Sequence, residues 1–490
     1  MTNITFNYRV IGKILGLITL ITGISMLPAL ACANIYKETS VAHGLFLSSI
    51  FTMLIGMTLF ISFDSSKAKF RPREGYMIVA FSWILVSIFG ALPYYLSGFT
   101  DSIANAFFES TAGFTTTGCT VTGESIMPKS LLLWKAISHW LGGMGILVFA
   151  VSILSALGVN GRTIARAETP GPVLQKMAVH MSDSAKILYL MYFSFTVLEF
   201  ILLTASPKMG TFDAIINTMG SISTAGLSAH PNGIGHYDSV YIEIIISCFT
   251  VLASLNFVLY YYMFKRKFGE VFADVELRSF LRILIVGILI CAAGLYFQGD
   301  YTSFPMALRD ASFQIVSFGT TSGYASVNYV TWPSICKLIM FTMFFIGGCS
   351  ASTCGSIKVI RVLVFFKLIW RGFYRRIHPR SVVAVKLQGK AVPAPIVSAI
   401  TVFILMYMTL FLFSCLVLSL QNLDLETTVS SAAAMLSNTG LAFGQIGASA
   451  NYGLYSAPLK VYLSFLMIVG RLELFTIIIL FTRNFWGKSR

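Results

Sequence analysis

Apolar runs of about 18 residues or more recur along the whole chain, beginning at Ile14 and ending just before Arg483. Runs of that length cross a bilayer as helices, and inside lipid every backbone polar group must be satisfied within the protein. Composition agrees. Of 490 residues, 56% are apolar and 11% charged, where soluble domains carry about 25% charged residues. The chain reads as an all-α polytopic membrane protein.

Between these runs one short pattern occurs four times: Thr115-Thr116-Thr117-Gly118, Ser223-Thr224-Ala225-Gly226, Thr320-Thr321-Ser322-Gly323 and Ser437-Asn438-Thr439-Gly440. Each reads hydroxyl, hydroxyl or amide, small residue, glycine, at intervals of roughly a hundred residues. A single Thr-Thr-Gly turn is uninformative; four in matching positions need a cause. The economical one is four pore loops around one axis, whose backbone carbonyls replace the water shell of a monovalent cation. Glycine lets the backbone turn its carbonyl to the axis, and small residues before it keep the wall narrow. The candidate filter is Thr116, Thr117, Gly118, Thr224, Ala225, Gly226, Thr321, Ser322, Gly323, Asn438, Thr439 and Gly440.

The rest of the chain divides around these motifs. Residues 1–70 hold two helices, about 10–33 and 42–63. The first resembles a signal peptide, with Arg9 and Lys13 before an apolar run ending in small residues, but it is long enough to span and is read as uncleaved. Four units follow, 71–160, 161–270, 271–380 and 381–490, each a spanning helix, a short segment and motif, and a second helix. The second helices are expected at about 130–156, 239–264, from Pro333, and 458–484. The short segments, such as 102–114, are re-entrant candidates, allowed at membrane depth only when buried in protein or lining a wet cavity.

Charge gives the orientation. The net charge is +15, but lysines and arginines crowd alternate connections, 64–74, 158–183, 265–282 and 358–391. That is the positive-inside pattern rather than a nucleic-acid surface. It puts the N-terminus in the cytoplasm and every motif outside. Asp101, Glu109, Glu124, Asp213, Asp238, Asp300, Asp310, Asp424 and Glu426 fall on the outer side; they either attract cations or are ordinary loop charges. The basic inner face suits anionic membrane lipid.

Two features lie below the motifs. Gly347-Gly-Cys-Ser-Ala-Ser-Thr-Cys-Gly-Ser356 interrupts the second helix of the third unit. Glycines and hydroxyl residues are poor helix formers, so the stretch is read as an unwound intramembrane loop; the alternative is a continuous helix packed closely through its small residues. Arg471 lies inside the last apolar run, where a charge costs roughly 2.5–3.5 kcal/mol. Glu473, two residues on, points to another helix face. Depth counted from a helix start near 458 and from Pro333 brings Arg471 and the loop to one level. Arg471, Gly347, Gly348 and Gly355 are the candidate gate; a purely structural arginine is the alternative.

These stretches carry a resemblance. Gly113-Phe-Thr-Thr-Thr-Gly118, Leu141-Gly-Gly-Met-Gly145, Ile346 to Arg361 and Gly470-Arg-Leu-Glu-Leu-Phe475 resemble the Trk/Ktr/HKT superfamily of potassium transporters, and most closely its bacterial TrkH/TrkG branch, over essentially the whole chain. The resemblance implies four M1–P-loop–M2 repeats in pseudo-fourfold symmetry after two extra N-terminal transmembrane helices. It implies a K+ filter at the four glycines, with Gly118 favouring potassium over sodium, and pairing of Arg471 with the loop. It also implies a homodimer in the bacterial cytoplasmic (inner) membrane and a cytoplasmic nucleotide-binding regulatory subunit of the TrkA type.

Three functional readings stand at this point. The first is channel-like potassium uptake. The second is a secondary transporter, a symport of potassium with protons or sodium by alternating access; such proteins usually show inverted repeats and mid-membrane ionisable groups, whereas these units are parallel, and the intramembrane candidates are Arg471, Glu473, Glu199 and His139. The third is a membrane enzyme, for which no HExxH, GxSxG or clustered His/Asp set is found. No Walker A or strand–GxGxxG–helix pattern calls for an organic cofactor. The eight cysteines lie mostly in apolar runs and read as buried thiols.

Overall fold

A computed structural model describes residues 6–63, 72–122, 127–145, 181–299, 301–381 and 383–486. The N-terminal run forms Tyr8–Ser25 and Leu27–Ile35, the second opening at Pro28, where the missing N–H costs nothing. Thr39–Ser62 packs back along it. Close approach there needs small residues: a Cβ on Gly56 would lie 2.4 Å from the Leu20 amide nitrogen.

From Pro72 one order of elements recurs. Long helices Pro72–Leu96, Met181–Thr204, Val275–Phe297 and Ala394–Ser419 each precede a short one: Ile103–Phe114, Thr211–Ile222, Phe304–Gly319 and Leu425–Ser437. One of the four motifs follows each short helix. Then comes Lys129–Gly143, Val240–Ser254, Ser334–Ile346 or Ala457–Arg471. The short helices are at most 16 residues, about 24 Å at 1.5 Å per residue, too short for a hydrocarbon core of about 30 Å. They are buried by the long ones, and side-chain caps at Ser102 and Asp424 take up orphan amides at two of their starts.

Five helices among the described residues are long and apolar enough to cross a bilayer, and seven if each bent pair counts once. Their outward side chains, among them Leu54, Ile285, Leu405 and Leu412, are exposed and suit lipid.

Two expected helices are corrected. The 239–264 run turns by 92° between Ser254 and Phe257, and the 458–484 run turns by 111° between Arg471 and Phe475. Neither break contains glycine or proline. Phe257 N donates to Ala351 O at 3.1 Å and Cys349 N to Ser254 O at 2.9 Å, so the 347–356 stretch replaces the helical partners at the first bend. At the second, Glu473 and Leu474 take φ of 52° and 57°. Ser334–Ile346 ends at Gly347, and helix resumes only at Val359, running to Ile377. The expected 130–156 helix is described as Lys129–Gly143; its remainder and most of the 158–183 connection lie outside the described residues.

Candidate ion pathway

Each motif is a helix ending. Thr117 N donates to Ala112 O and Thr116 N to Gly113 O, at 3.0 and 3.1 Å. The same pair recurs as Ala225 to Gly220 with Thr224 to Ser221, Ser322 to Ser317 with Thr321 to Phe318, and Thr439 to Ala434 with Asn438 to Met435. This is the Schellman arrangement, which needs a left-handed residue at its fifth position. That residue is Thr116, Thr224, Thr321 or Asn438, with φ of 55°, 52°, 53° and 57°. Two residues later Gly118, Gly226, Gly323 and Gly440 are also left-handed, at 75°, 68°, 76° and 80°, while the residue between is not.

The four bends close a ring. A Cβ on Gly118 would lie 1.7 Å from Ala225 O, on Gly226 2.2 Å from Ser322 O, on Gly323 2.1 Å from Thr439 O, and on Gly440 2.0 Å from Thr117 O. Four equivalent carbonyl oxygens thus alternate with four glycines, each from the neighbouring bend. Side chains brace the ring: Thr115 and Ser437 hydroxyls meet those of Thr117 and Thr439 at 2.8 Å, and Asn438 Nδ2 reaches Thr117 Oγ1 at 3.1 Å. Neighbouring units are also stitched beside it. Tyr324 donates to Asn217 O, Tyr329 to Ala442 O, and Thr120 pairs with Asn451 as an isolated bridge. A cavity of about 170 Å³ opens against one side of the ring, bordered by Gly118, Gly226, Gly323 and Leu441.

On the other side lies the 347–356 stretch. Thr353 Oγ1 accepts from Thr224 Oγ1 at 3.2 Å, Cys354 Sγ approaches Thr320 O, and Gly355 N donates to Thr321 Oγ1 at 3.0 Å. Gly355 sits so close that a Cβ would be 2.0 Å from Ser437 O. Gly347, at φ 66°, turns the chain against Gly355 and Ser356, and Gly348 lies against Cys354. Arg471 Nη1 donates to Thr353 O at 2.5 Å and its Nη2 to Gly142 O and Gly143 O at 2.7 and 3.0 Å. One guanidinium therefore ties the last helix, the stretch and the end of Lys129–Gly143. Among the described residues no group of three or more His, Cys, Asp or Glu is placed for a metal.

A family model described as TrkH, cation transport protein, matches residues 42–488. The chain belongs to the TrkH family. It is 35% identical over 485 residues to the Trk system potassium uptake protein TrkH of Halomonas elongata, covering 98% of this chain and 99% of that one. It is equally similar, over 488 residues, to the protein of that name in Escherichia coli K12, covering 98% of this chain and all of the relative. The crystal structure of the potassium transporter TrkH from Vibrio parahaemolyticus superposes with a TM-score of 0.87 at 31% identity, over 98% of this chain and 100% of that one. TrkH family membership and the apolar helices make this a multi-pass membrane protein.

Sequence reasoning did not give the partners of several buried charges in this TrkH-family chain. Lys135 and Glu109 form an ion pair at 2.6 Å, both essentially unexposed, and Lys135 also donates to Cys119 O at 2.8 Å, one residue past Gly118. A lone lysine inside the apolar run 130–141 was the available signal. Glu276 accepts from Ser350 N, Ser350 Oγ and Ile360 N at 2.7, 2.7 and 3.2 Å, pinning both ends of the 347–358 segment. Glu473 pairs with Arg361. The buried Lys358 donates to Cys354 O.

Several of the carboxylates expected on the outer side have partners within the protein. Asp213 meets His230 and Tyr237, Asp310 accepts from Tyr301, and Asp424 caps Leu425–Ser437. Glu124 and Asp300 lie outside the described residues. Among the described residues the cavity is bordered by Lys135 and His230 and by no carboxylate.

Proposed function

We propose that this chain carries potassium ions into the cell through a carbonyl-lined filter at the ring of bends, in channel-like fashion. The observation that carries the reading is the closed ring: four matching carbonyl oxygens, Thr117, Ala225, Ser322 and Thr439, each beside the glycine of the adjoining bend. Carbonyls of this kind replace a hydration shell without a fixed charge, so an ion enters and still leaves. The relatives' names, potassium uptake proteins and a potassium transporter, agree with the ion.

The four long–short–long helix sets are the M1–P–M2 repeats of units 71–160, 161–270, 271–380 and 381–490, after an N-terminal pair in 1–70. The 347–356 stretch and Arg471 form the gate. Their position against the ring, with Gly355 under one bend and Arg471 bonded to Thr353, supports this. The positive charge also raises the barrier to a cation below the filter. The basic connections put the gate and the N-terminus toward the cytoplasm of a bacterial inner membrane, where a TrkA-type regulatory ring docks on a homodimer.

The test is potassium-dependent growth of an uptake-deficient bacterial strain, with rubidium uptake as the quantitative readout. Expression of the chain restores both. Alanine at Gly118, Gly226, Gly323 or Gly440 abolishes them while the protein still reaches the membrane. Full uptake by all four variants would overturn the filter.

A further inference from the structure

Nine residues before the glycine of its bend, each short helix carries a fully buried polar side chain: Glu109, Asn217, Gln314 and Ser431. Three of the four are neutral. Asn217 Nδ2 donates to Asp213 O at 2.8 Å and to the Tyr237 hydroxyl at 3.3 Å, Gln314 Nε2 to Ser326 Oγ at 3.4 Å, and Ser431 Oγ to Thr427 O at 2.6 Å. Only in the first unit does this position hold a charge, and there it grips the segment that leaves the bend. Glu109 Oε1 accepts from Val121 N at 2.8 Å and Thr120 Oγ1 at 2.6 Å, and its Oε2 from Lys135 Nζ at 2.6 Å. Lys135 donates again, to Cys119 O at 2.8 Å.

A side chain holds the carbonyl just past the glycine in two other units as well. Leu227 O accepts from the Tyr324 hydroxyl at 3.3 Å and Tyr324 O from Ser317 Oγ at 2.7 Å. Those donors are neutral hydroxyls. At the first bend the donor is an ammonium, and a charge-assisted hydrogen bond is roughly twice as strong. Cys119 touches two quarters of the ring. It follows Gly118, and a Cβ on Gly440 would lie 3.2 Å from Cys119 N and 2.0 Å from Thr117 O. The next residue is fixed from the fourth unit, Thr120 N donating to Ala450 O at 3.0 Å and Tyr452 N to Thr120 O at 2.7 Å. A shift at Cys119 therefore changes the spacing of the first and fourth bends, and the number and placing of carbonyl oxygens decide which ion a filter accepts. Glu109 acts from behind the ring: it is fully buried, and both its oxygens are engaged within the protein.

We propose that Lys135 and Glu109 are positioning residues for the filter. Glu109 holds Thr120 and Val121, Lys135 holds Cys119 O, and together they fix the first and fourth bends at the spacing that prefers potassium to sodium. The proposal rests on the carbonyl-filter reading given above.

The test uses the full-length protein in planar bilayers with potassium on one side and sodium on the other, where the reversal potential gives the permeability ratio. Removing one member of a buried ion pair strands the other's charge, whereas removing both is often neutral for stability. The decisive variant is therefore Glu109→Gln/Lys135→Met. Its glutamine keeps an acceptor for Val121 N, and its methionine keeps an unbranched chain without the donor to Cys119 O. The potassium-to-sodium ratio is expected to fall about tenfold, the worth of one hydrogen bond to a charged group at the low end of its range. Glu109→Gln alone should lower it less, and decides the matter if the double variant does not fold. Lys135→Arg keeps the charge and the donors, has the cavity beside it for its bulk, and should hold the ratio. A purely structural pair would lower the melting temperature and the number of active molecules but leave the ratio unchanged. An unchanged ratio in the folded variants, or its loss in Lys135→Arg, would overturn the proposal. Gly118→Ala in the same bilayers reports the filter separately. Undiminished current there would count against the filter reading itself, whereas blocked current there beside an unchanged ratio in the pair variants would remove the pair alone.

Discussion

Threonine is a poor residue for the left-handed position that closes a helix, yet three of the four bends use it. A β-branched side chain there costs about 1–2 kcal/mol, and the fourth bend uses Asn438, which tolerates it better. The tightest constraint is at the glycines. Gly118 and Gly98 have similar φ, 75° and 73°, but a Cβ on Gly98 meets nothing within 4 Å, whereas on Gly118 it meets Ala225 O at 1.7 Å. Gly98→Ala should therefore cost about 1–2 kcal/mol of stability and leave rubidium uptake near normal. Gly118→Ala should reduce uptake at least about tenfold, as 1.4 kcal/mol of added barrier already would. Thermal melting and uptake of the two variants, measured together, separate strain from blockage. Asp424 gives a pH prediction. Burial disfavours its charge, but hydrogen bonds from the Thr427 hydroxyl and amide and from Gln445 outweigh this and hold the carboxyl below its ordinary value of 3.8. A depressed carboxyl contributes stability that is present above its unfolded value and lost as pH falls through the folded one. Purified protein should lose melting temperature below about pH 4, and Asp424→Asn, which still caps the helix, should lose less over the same range.

The 347–358 segment is an element without regular structure, and its shape depends on a few polar ties. Glu276 supplies three of them. Hydrogen bonds to a charged acceptor contribute about 1.5–3 kcal/mol each, so Glu276→Ala should destabilise the protein by on the order of 3 kcal/mol or more, seen as a lower midpoint in thermal unfolding. Glu276→Gln, which keeps an acceptor, should be milder. Arg471→Ala removes the tie between Thr353, Gly142 and Gly143; single-channel recordings should show higher open probability, and unchanged gating would remove Arg471 from the gate. How legible these elements were in the sequence follows from the same physics. Long apolar runs and the recurring Thr/Ser-x-x-Gly pattern carry period and punctuation, so the long helices, the short helices and the bends could be read. The bends at 255–256 and 472–474 could not, because their residues are ordinary apolar helix formers apart from Asn256 and Glu473, and the break depends on a partner more than 90 residues away, as Phe257 N to Ala351 O shows. Glu276 was hidden for a similar reason. Next to Asp274, it looks like an ordinary acid in a first helical turn, and only the returning segment gives it partners.

At the scale of the whole molecule, the question is which parts can move. Each bend rests its glycine on a carbonyl of the next, all the way round. Rocking one half of the molecule against the other, as alternating access requires, would open two of these four contacts at once. Motion confined to the 347–358 segment and Arg471 breaks no contact between one bend and the next. A pathway with a fixed ring and a movable plug behaves as a pore whose current follows the potassium gradient alone. In a planar bilayer with unequal potassium on the two sides, the reversal potential should shift by about 59 mV per tenfold gradient, the value for one charge. It should not move when a proton or sodium gradient is imposed at fixed potassium. A displacement of the reversal potential by pH or sodium would mean obligatory coupling, and the ring would then have to open during each cycle. That second requirement is separately measurable: a disulfide engineered between neighbouring short helices, away from the ring itself, should leave potassium current intact if the bends stay together and abolish it if they must part.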